Sequence, residues 1–163
     1  MAKITLHGNE INTNGTLPAV GTTLADFTLA NGKLEDVNLS SFSGKKVLNI
    51  FPSIDTPVCQ LSVRHFNEDV ASKDDVTVLC ISADLPFALG RFCGAEGLEN
   101  VVNLSSFRST FSADLGVEIS DGPLRGLCSR AVIVLDENNV VTHAEQIPEI
   151  AQEPDYDAAL KAL

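Results

Sequence analysis

The sequence predicts an α/β fold, a central mixed sheet flanked by helices, on three observations. Short, almost continuous apolar runs at 47–51 and 76–81 are typical of strands that helices bury on both faces. Between them, residues 56–72 place apolar side chains at helical intervals among charged ones, which indicates an amphipathic helix. Two later apolar runs around a polar turn, within 131–143, indicate an antiparallel hairpin.

The N-terminal part predicts a β-hairpin and one short strand. Residues 4–13 alternate apolar and polar side chains around Gly8 and Asn9, a pattern typical of two strands joined by a tight turn. A polar stretch follows, and then a short strand is expected at 27–29, ahead of a turn at Asn31-Gly32. We therefore expect a hairpin extension in front of the main sheet.

The remaining elements alternate between strand and helix. Beyond the strand at 76–81, the pattern predicts a short helix at 87–93, a strand at 101–104, a helical turn at 110–115, hairpin strands at 131–135 and 140–143, and a closing helix at 156–163. This order is that of a thioredoxin-like fold. No repeat or linker interrupts it, so one domain is expected over residues 1–163.

Composition excludes several classes of function. The 163 residues are 44% hydrophobic, which suffices for one core without disulfides or a structural metal. The net charge of −11, without any basic cluster, argues against nucleic acid as a partner. We find no secretory signal and no stretch of membrane-spanning length, so a cytoplasmic protein without membrane contact is expected. Thiols stay reduced there, so the four cysteines are candidates for chemistry rather than permanent bridges.

The most informative stretch lies where the strand at 47–51 gives way to the first helix. Thr56 suits the N-cap and Pro57 the N1 position, which puts Cys59 at N3 in the first turn. A sulfur there faces backbone N–H groups without partners and the positive end of the helix dipole, and both favour thiolate over thiol. The neighbouring Asp55 opposes this unless an arginine outweighs it. Cys59 is thus a candidate nucleophile, the alternative being an inert core thiol.

Pro52, Thr56 and Cys59 match the Pro-x-x-x-Thr-x-x-Cys signature of peroxiredoxins at full spacing. The whole chain resembles the bacterial thiol peroxidases, the atypical two-cysteine subgroup of that family. The resemblance implies a thiol-dependent peroxidase in which the Cys59 thiolate attacks the terminal peroxide oxygen. It assigns Pro52, Thr56 and the backbone N–H groups to binding and orienting the hydroperoxide, where fixed donors can stabilise the developing negative charge.

The resemblance also assigns Arg130 and Cys93. Arg130 stands where a buried strand begins, at the family's active-site arginine, and its five donors could hold both thiolate and peroxide; the alternative is a surface ion pair. Cys93 matches the resolving cysteine, which condenses with the Cys59 sulfenic acid to a disulfide that thioredoxin reduces. Spacing alone does not choose among the pairings that four cysteines allow. The subgroup favours organic hydroperoxides and is commonly a homodimer.

The other thiols and histidines suggest no further site. Cys80 lies in an apolar strand and is expected to be an inert core thiol. Cys128 precedes Arg130 by two residues, but a glycine-rich loop just upstream leaves its direction open, and we expect a bystander. His65, six residues after Cys59, lies on another side of the helix.

Three alternative functions differ in what they require. A thioredoxin-type disulfide oxidoreductase needs Cys-x-x-Cys, whereas residue 62 is serine. A metal-binding module needs closely paired cysteines and histidines, which the sequence lacks, so we expect neither a metal nor another cofactor. A peroxide-sensing redox protein needs the same thiolate as a peroxidase, and only catalytic turnover separates the two.

Overall fold

The computed structural model describes residues 1–163. The strands are β1 (Lys3–Leu6), β2 (Asn9–Asn12), β3 (Thr28–Ala30), β4 (Asp36–Asn38), β5 (Lys45–Ile50), β6 (Val76–Ser82), β7 (Val101–Ser105), β8 (Ala131–Leu135) and β9 (Val141–Gln146). The helices are α1 (Pro57–Asp69), α2 (Pro86–Glu96), α3 (Phe111–Leu115) and α4 (Tyr156–Lys161), with a 3₁₀ turn at Leu39–Ser41. No helix has the length and apolar character needed to cross a bilayer.

Seven of the strands form one mixed sheet in the order β4-β3-β7-β6-β5-β8-β9. Strands β5, β6 and β7 are parallel, and β8 pairs antiparallel with β5 and with β9. Because β5 and β6 are parallel neighbours, the segments that follow them leave the sheet at the same edge. The mixed sheet flanked by helices and the separate β1-β2 hairpin confirm the predicted fold class.

Strand alternation divides the core into two layers, one on each face of the sheet. One layer contains Val47, Val78 and Val132 and packs against α1, α2 and α4. The other contains Leu48, Leu79 and Ile133 and packs against α3 and the loops. Cys59, Cys80 and Cys93 lie in the first layer and Cys128 in the second, so the sheet separates Cys128 from the other three thiols.

Most expected elements are present, with shifted ends and one omission. Strand β4 was not predicted, because Asp-Val-Asn is a three-residue edge segment without an apolar run. Helix α1 ends at Asp69 rather than near residue 72. Helix α2 continues to Glu96, past the expected end at Cys93, because the chain first enters the left-handed region at Gly97, with φ 66°.

The β1-β2 hairpin is fastened to the segment that follows β9. The Thr5 N–H donates to the Pro148 carbonyl at 2.7 Å, and the Ile150 N–H donates back to the Thr5 carbonyl at 2.9 Å. At the hairpin turn, the Gly8 N–H donates to the Glu149 carboxylate at 2.9 Å. The hairpin and residues 148–150 therefore form one wall, which lies beside the start of α1.

We expect Gly44→Ala to lower the free energy of unfolding by roughly 2 kcal/mol or more. Gly44 has φ 75°, and an added Cβ would lie 2.6 Å from the Asp75 carbonyl oxygen. That oxygen accepts the Lys45 N–H at 2.9 Å, so it cannot easily give way. Urea unfolding followed by circular dichroism measures the loss.

Gly32→Ala is the matched control for this substitution. A Cβ added at Gly32 would have no other atom within 4 Å, and the backbone there has no left-handed φ, so a change of less than about 1 kcal/mol is expected. Equal stability of the two variants would show that the turn before β5 tolerates a side chain.

Candidate active site

The start of α1 places Cys59 as the sequence predicts. Thr56 is the N-cap residue with extended backbone, Pro57 is N1, and Cys59 follows at N3. The Thr56 side chain, however, does not cap the helix: its hydroxyl donates to the Ser53 carbonyl at 2.8 Å. The backbone N–H groups of Val58 and Cys59 have no acceptor within the protein, so the first turn keeps free donors beside the sulfur.

Arg130 contacts the Cys59 sulfur directly. Its Nη2 donates to Cys59 Sγ at 3.3 Å, and its Nε donates to the Ile150 carbonyl at 2.7 Å. Both side chains are buried, with 0% of Cys59 and 2% of Arg130 exposed. Its third nitrogen, Nη1, is buried without a protein partner. The guanidinium is thus fixed by two bonds, and Nη1 keeps its donors unused.

The surface ion-pair alternative for Arg130 is wrong. The ion pairs of the protein are Lys3–Glu10, Arg64–Glu96, Arg91–Asp55 and Arg108–Asp36. None involves Arg130, so no carboxylate neutralises this buried cation. A buried charge requires a compensating partner, and the sulfur it contacts can provide one as a thiolate. The geometry therefore places a buried cation, with no carboxylate beside it, directly on the Cys59 sulfur.

The acidic neighbour of this site is neutralised at the surface. The Asp55 carboxylate accepts from Arg91 Nη2 at 2.7 Å, and both side chains are more than half exposed. Its opposing charge is thus offset by an arginine of α2 and screened by solvent. The arginine in contact with the sulfur is Arg130, and Asp55 makes no contact with it.

A cavity of about 530 Å³ opens onto Arg130. Pro52, Thr56 and Arg130 are among its lining residues, together with Ser53, Pro57 and Val58. The rest of its lining is Leu6, His7, Leu124, Leu127, Ile150 and Ala151. Most of these side chains are apolar, so the cavity suits a ligand that has both a polar end and a hydrocarbon part.

Sequence reasoning missed the walls of this cavity. They come from the β1-β2 hairpin, the loop at 124–127 and the segment after β9, which the fold assembles from distant parts of the chain. The partner of Arg130 Nε was missed as well, because it is the backbone carbonyl of Ile150 and any residue type could supply it. No local sequence signal marks either feature.

Cys93 and Cys80 lie in the same core layer as Cys59, and all are free thiols. Cys93 is in the last turn of α2 and 8% exposed. Burial raises the pKa of Cys93, and the side chain of Asn103 on β7 partly opposes that rise. Burial raises the pKa of Cys80 much further, and its only polar contact is Asn49 Nδ2 at 3.8 Å. Cys80 therefore has the surroundings of a core thiol, which is the role that the sequence predicts for it.

Two residues considered in the sequence lie away from the site. Cys128 is buried on the opposite face of the sheet, 4.0 Å from the Ser106 hydroxyl, and burial raises the pKa of Cys128 to about 12. His65 stacks on Tyr156 with ring centroids 3.7 Å apart, and its Nδ1 lies 2.7 Å from the Asp69 carboxylate. Neither contacts Cys59.

Comparison with known proteins gives a consistent result. The redoxin family matches residues 19–160. A thiol peroxidase from Corynebacterium glutamicum is 58% identical, covering 100% of this chain and 99% of the relative. The structure of a peroxiredoxin-like protein from Aquifex aeolicus superposes with a TM-score of 0.93 at 33% identity, covering 99% of this chain and 96% of that one. A thiol peroxidase structure from Chromobacterium violaceum gives a TM-score of 0.90 at 29% identity, covering 98% and 93%.

We expect Arg130→Lys to slow alkylation of Cys59 by iodoacetamide at pH 7 by about tenfold or more. A lysine keeps the charge but cannot bond the Ile150 carbonyl and the sulfur with one rigid fork. Mass mapping of the alkylated protein over time gives the rate for Cys59 alone. Arg64→Lys is the control, since Arg64 lies on α1 but pairs with Glu96 at the surface. Equal rates in wild type and Arg130→Lys would contradict the thiolate-arginine pair.

Proposed function

The chain belongs to the redoxin family and is a peroxiredoxin-type thiol peroxidase, and we propose that Cys59 is its attacking thiolate. We further propose that Pro52, Thr56 and Arg130 bind the hydroperoxide and that Cys93 resolves the oxidised enzyme. The observation that carries the proposal is the contact of a buried, otherwise uncompensated guanidinium with the Cys59 sulfur at 3.3 Å.

In the first step the Cys59 thiolate attacks the terminal oxygen of the hydroperoxide. The S–O bond forms as the O–O bond breaks, so sulfur is oxidised to sulfenic acid. The second oxygen leaves as alkoxide, or as hydroxide from hydrogen peroxide, and takes up a proton. Negative charge moves from sulfur to this leaving oxygen, so donors fixed near both ends of the reacting atoms lower the barrier.

Arg130 is suited to both ends of this charge transfer. Nη2 already contacts the sulfur, and Nη1 has no protein partner and can donate to a peroxide oxygen. The bond from Nε to the Ile150 carbonyl keeps the guanidinium in place while the charge moves. Preorganised donors of this kind need no rearrangement during the reaction.

Thr56 has a more specific role than the sequence indicated. Its hydroxyl proton is committed to the Ser53 carbonyl, which leaves the oxygen as an acceptor facing the cavity that Thr56 lines. We propose that this oxygen accepts the O–H of the incoming hydroperoxide. The free N–H groups of Val58 and Cys59 then complement it as donors to the peroxide.

In the second step the Cys93 thiol attacks the sulfur of the Cys59 sulfenic acid. An S–S bond forms, the S–O bond breaks, and the oxygen leaves as water with the thiol proton. Condensation protects Cys59 against further, irreversible oxidation. A thiol reductant then returns both cysteines to thiols as its own pair is oxidised. In the structure all four cysteines are free thiols, which is the reduced form that starts the cycle.

The apolar cavity supports organic hydroperoxides as preferred substrates, with hydrogen peroxide also reduced. Its volume of about 530 Å³ exceeds what hydrogen peroxide needs. Its apolar lining residues can contact the hydrocarbon part of an alkyl hydroperoxide. Hydrogen peroxide would use only the Thr56 and Arg130 end. A comparison of kcat/KM for the two substrate classes tests this preference.

We propose thioredoxin as the thiol reductant, a cytoplasmic location, one domain over residues 1–163, and a homodimer. For the homodimer, the supporting observation is that large apolar side chains are exposed near the start of α2, with Phe87 67% and Leu85 50% accessible. The reducible Cys59–Cys93 disulfide suits a dithiol reductant.

A thioredoxin-type disulfide oxidoreductase fits the site less well. The second cysteine of a Cys-x-x-Cys pair would stand at residue 62, where a buried serine donates to the Cys59 carbonyl at 2.8 Å. A peroxide sensor would form the same sulfenic acid but would not cycle. Observation of multiple turnovers with hydroperoxide and thioredoxin would exclude both alternatives.

We expect Cys59→Ser to abolish peroxidase activity and leave the fold intact. Serine is close in size to cysteine but is not ionised at neutral pH. Peroxide-dependent oxidation of thioredoxin should fall below about a hundredth of wild type, which corresponds to at least ~2.7 kcal/mol of barrier. Circular dichroism controls for folding, and residual turnover above that level would contradict Cys59 as the nucleophile.

We expect Cys93→Ser to react with one equivalent of hydroperoxide and then stop at the sulfenic acid on Cys59. A sulfenic-acid probe and intact mass detect that product, and turnover with thioredoxin should be lost. Cys80→Ser is the matched control in the same core layer and should retain turnover. Oxidised wild-type protein in which Cys59 is bonded to Cys80 or Cys128 would refute Cys93 as the resolving residue.

A further inference from the structure

The carboxylate of Asp84 joins the loop ahead of α1 to the turn ahead of α2. Its Oδ1 accepts from the Ser53 hydroxyl at 2.8 Å. Its Oδ2 accepts from the Ile54 N–H and from the Ser82 hydroxyl, both at 2.7 Å. Ser53 and Ile54 follow β5, whereas Ser82 and Asp84 follow or end β6. One partly buried side chain therefore links the two segments from which the thiol-bearing helices begin.

The linkage extends to the peroxide-binding end of the site. The Ser53 carbonyl accepts both the Thr56 N–H at 3.2 Å and the Thr56 hydroxyl at 2.8 Å. Asp84 therefore fixes Thr56 through Ser53. Asp84 is itself fixed, because its carbonyl accepts from the Ser105 hydroxyl of β7 at 2.5 Å. The carboxylate is part of a rigid frame rather than a mobile surface group.

Disulfide formation requires the two helix segments to move relative to each other. Cys59 contacts Arg130 at the start of β8, and Cys93 lies beside Asn103 on β7. Strands β5 and β6 lie between these two partners in the sheet, and the two sulfurs are not bonded to each other. A disulfide needs a sulfur separation of about 2 Å. The bonds of Asp84 resist displacement of the α1 loop from α2.

We propose that Asp84 is a positioning residue, a latch that holds the Cys59 loop against the start of α2 for attack on peroxide and releases for the disulfide to form. The proposal rests on the Cys59–Cys93 chemistry proposed above. Asp84 exchanges no proton and forms no covalent bond; the S–S bond still forms as water leaves. Weakening the latch should therefore slow peroxide attack, which needs Thr56 in place, and speed resolution, which needs the loop to move.

The test is Asp84→Asn in the otherwise unchanged protein. An amide keeps the size of the carboxylate but presents an NH₂ group toward one of its three donors and removes the charge. We expect the rate of Cys59 sulfenic acid formation to fall by about tenfold and the rate of disulfide formation to rise by about threefold. Opposite changes in the two rates are not expected from a loss of stability alone.

The chain has no tryptophan, so both rates are measured by rapid quenching. The reduced protein is mixed with cumene hydroperoxide and quenched at intervals with an alkylating reagent and a sulfenic-acid probe. Intact mass then separates thiol, sulfenic acid, disulfide and sulfinic acid. Faster resolution should also lower the yield of sulfinic acid at high peroxide, by about the factor by which disulfide formation accelerates.

Asp26→Asn is the matched control. The Asp26 carboxylate also accepts three hydrogen bonds, from the Phe27 N–H, the Ser40 N–H and the Ser40 hydroxyl, at 3.0, 3.1 and 2.9 Å. It joins segments that carry no cysteine. Its loss should lower the thermal midpoint as Asp84→Asn does, but leave both rates unchanged.

Ser53→Ala is a second test should Asp84→Asn not fold. It removes one bond of the latch and should shift both rates in the same directions by about threefold or less. Unchanged rates in Asp84→Asn, or a parallel fall in both, would overturn the latch. If wild-type protein forms no Cys59–Cys93 disulfide, the proposed function itself is wrong and the latch has no step to control.

Discussion

The site depends on one buried pair of groups, the Arg130 guanidinium and the Cys59 sulfur. Arg130 is among the most deeply buried large side chains, and no carboxylate contacts it. A lone cation in such a place would be strongly unfavourable, and so would a lone thiolate in the apolar layer beneath α1. In the proposed mechanism each group compensates the other, since a thiolate at Cys59 would balance the buried cation. The contact that offsets the burial of Arg130 is then also the one that prepares the sulfur for attack.

Much of the surrounding fold serves to keep this pair together. Arg130 is held by the Ile150 carbonyl, and Ile150 is held in turn by the Thr5 carbonyl of the N-terminal hairpin. The hairpin thereby supports the arginine and also forms part of the cavity wall. On the other side, parallel strands β5 and β6 end at the same sheet edge, where open α/β sheets commonly bind ligands. Both thiol-bearing helices begin from that edge.

Features set by neighbouring residues could be predicted from the sequence. Contacts between distant segments, which only the tertiary fold brings together, could not. The strand-to-helix junction at Cys59 could be read from Thr56 and Pro57, because capping and proline preferences act within a few residues. The direction of the Thr56 hydroxyl could not, because the competing acceptor is a backbone carbonyl, that of Ser53. The Arg130 contact followed only from the family resemblance, since 71 residues separate it from Cys59. No sequence pattern marks Asp84, because its role depends on three polar groups that only the folded chain brings to its carboxylate.

The proposed choice of Cys93 over Cys80 as resolving thiol follows from what can move. Cys80 lies in β6, which is paired along its length with β5 on one side and β7 on the other. Displacing it would break both ladders at the centre of the sheet. Cys93 lies in the last turn of a helix that has glycine at positions 90 and 94 and ends at Gly97. A helix end opens locally at much lower free energy than a central strand. We therefore attribute the proposed role of Cys93 to the helix end that carries it, which can move out of the core layer. Cys80 lies in the same layer, but its strand cannot move in this way.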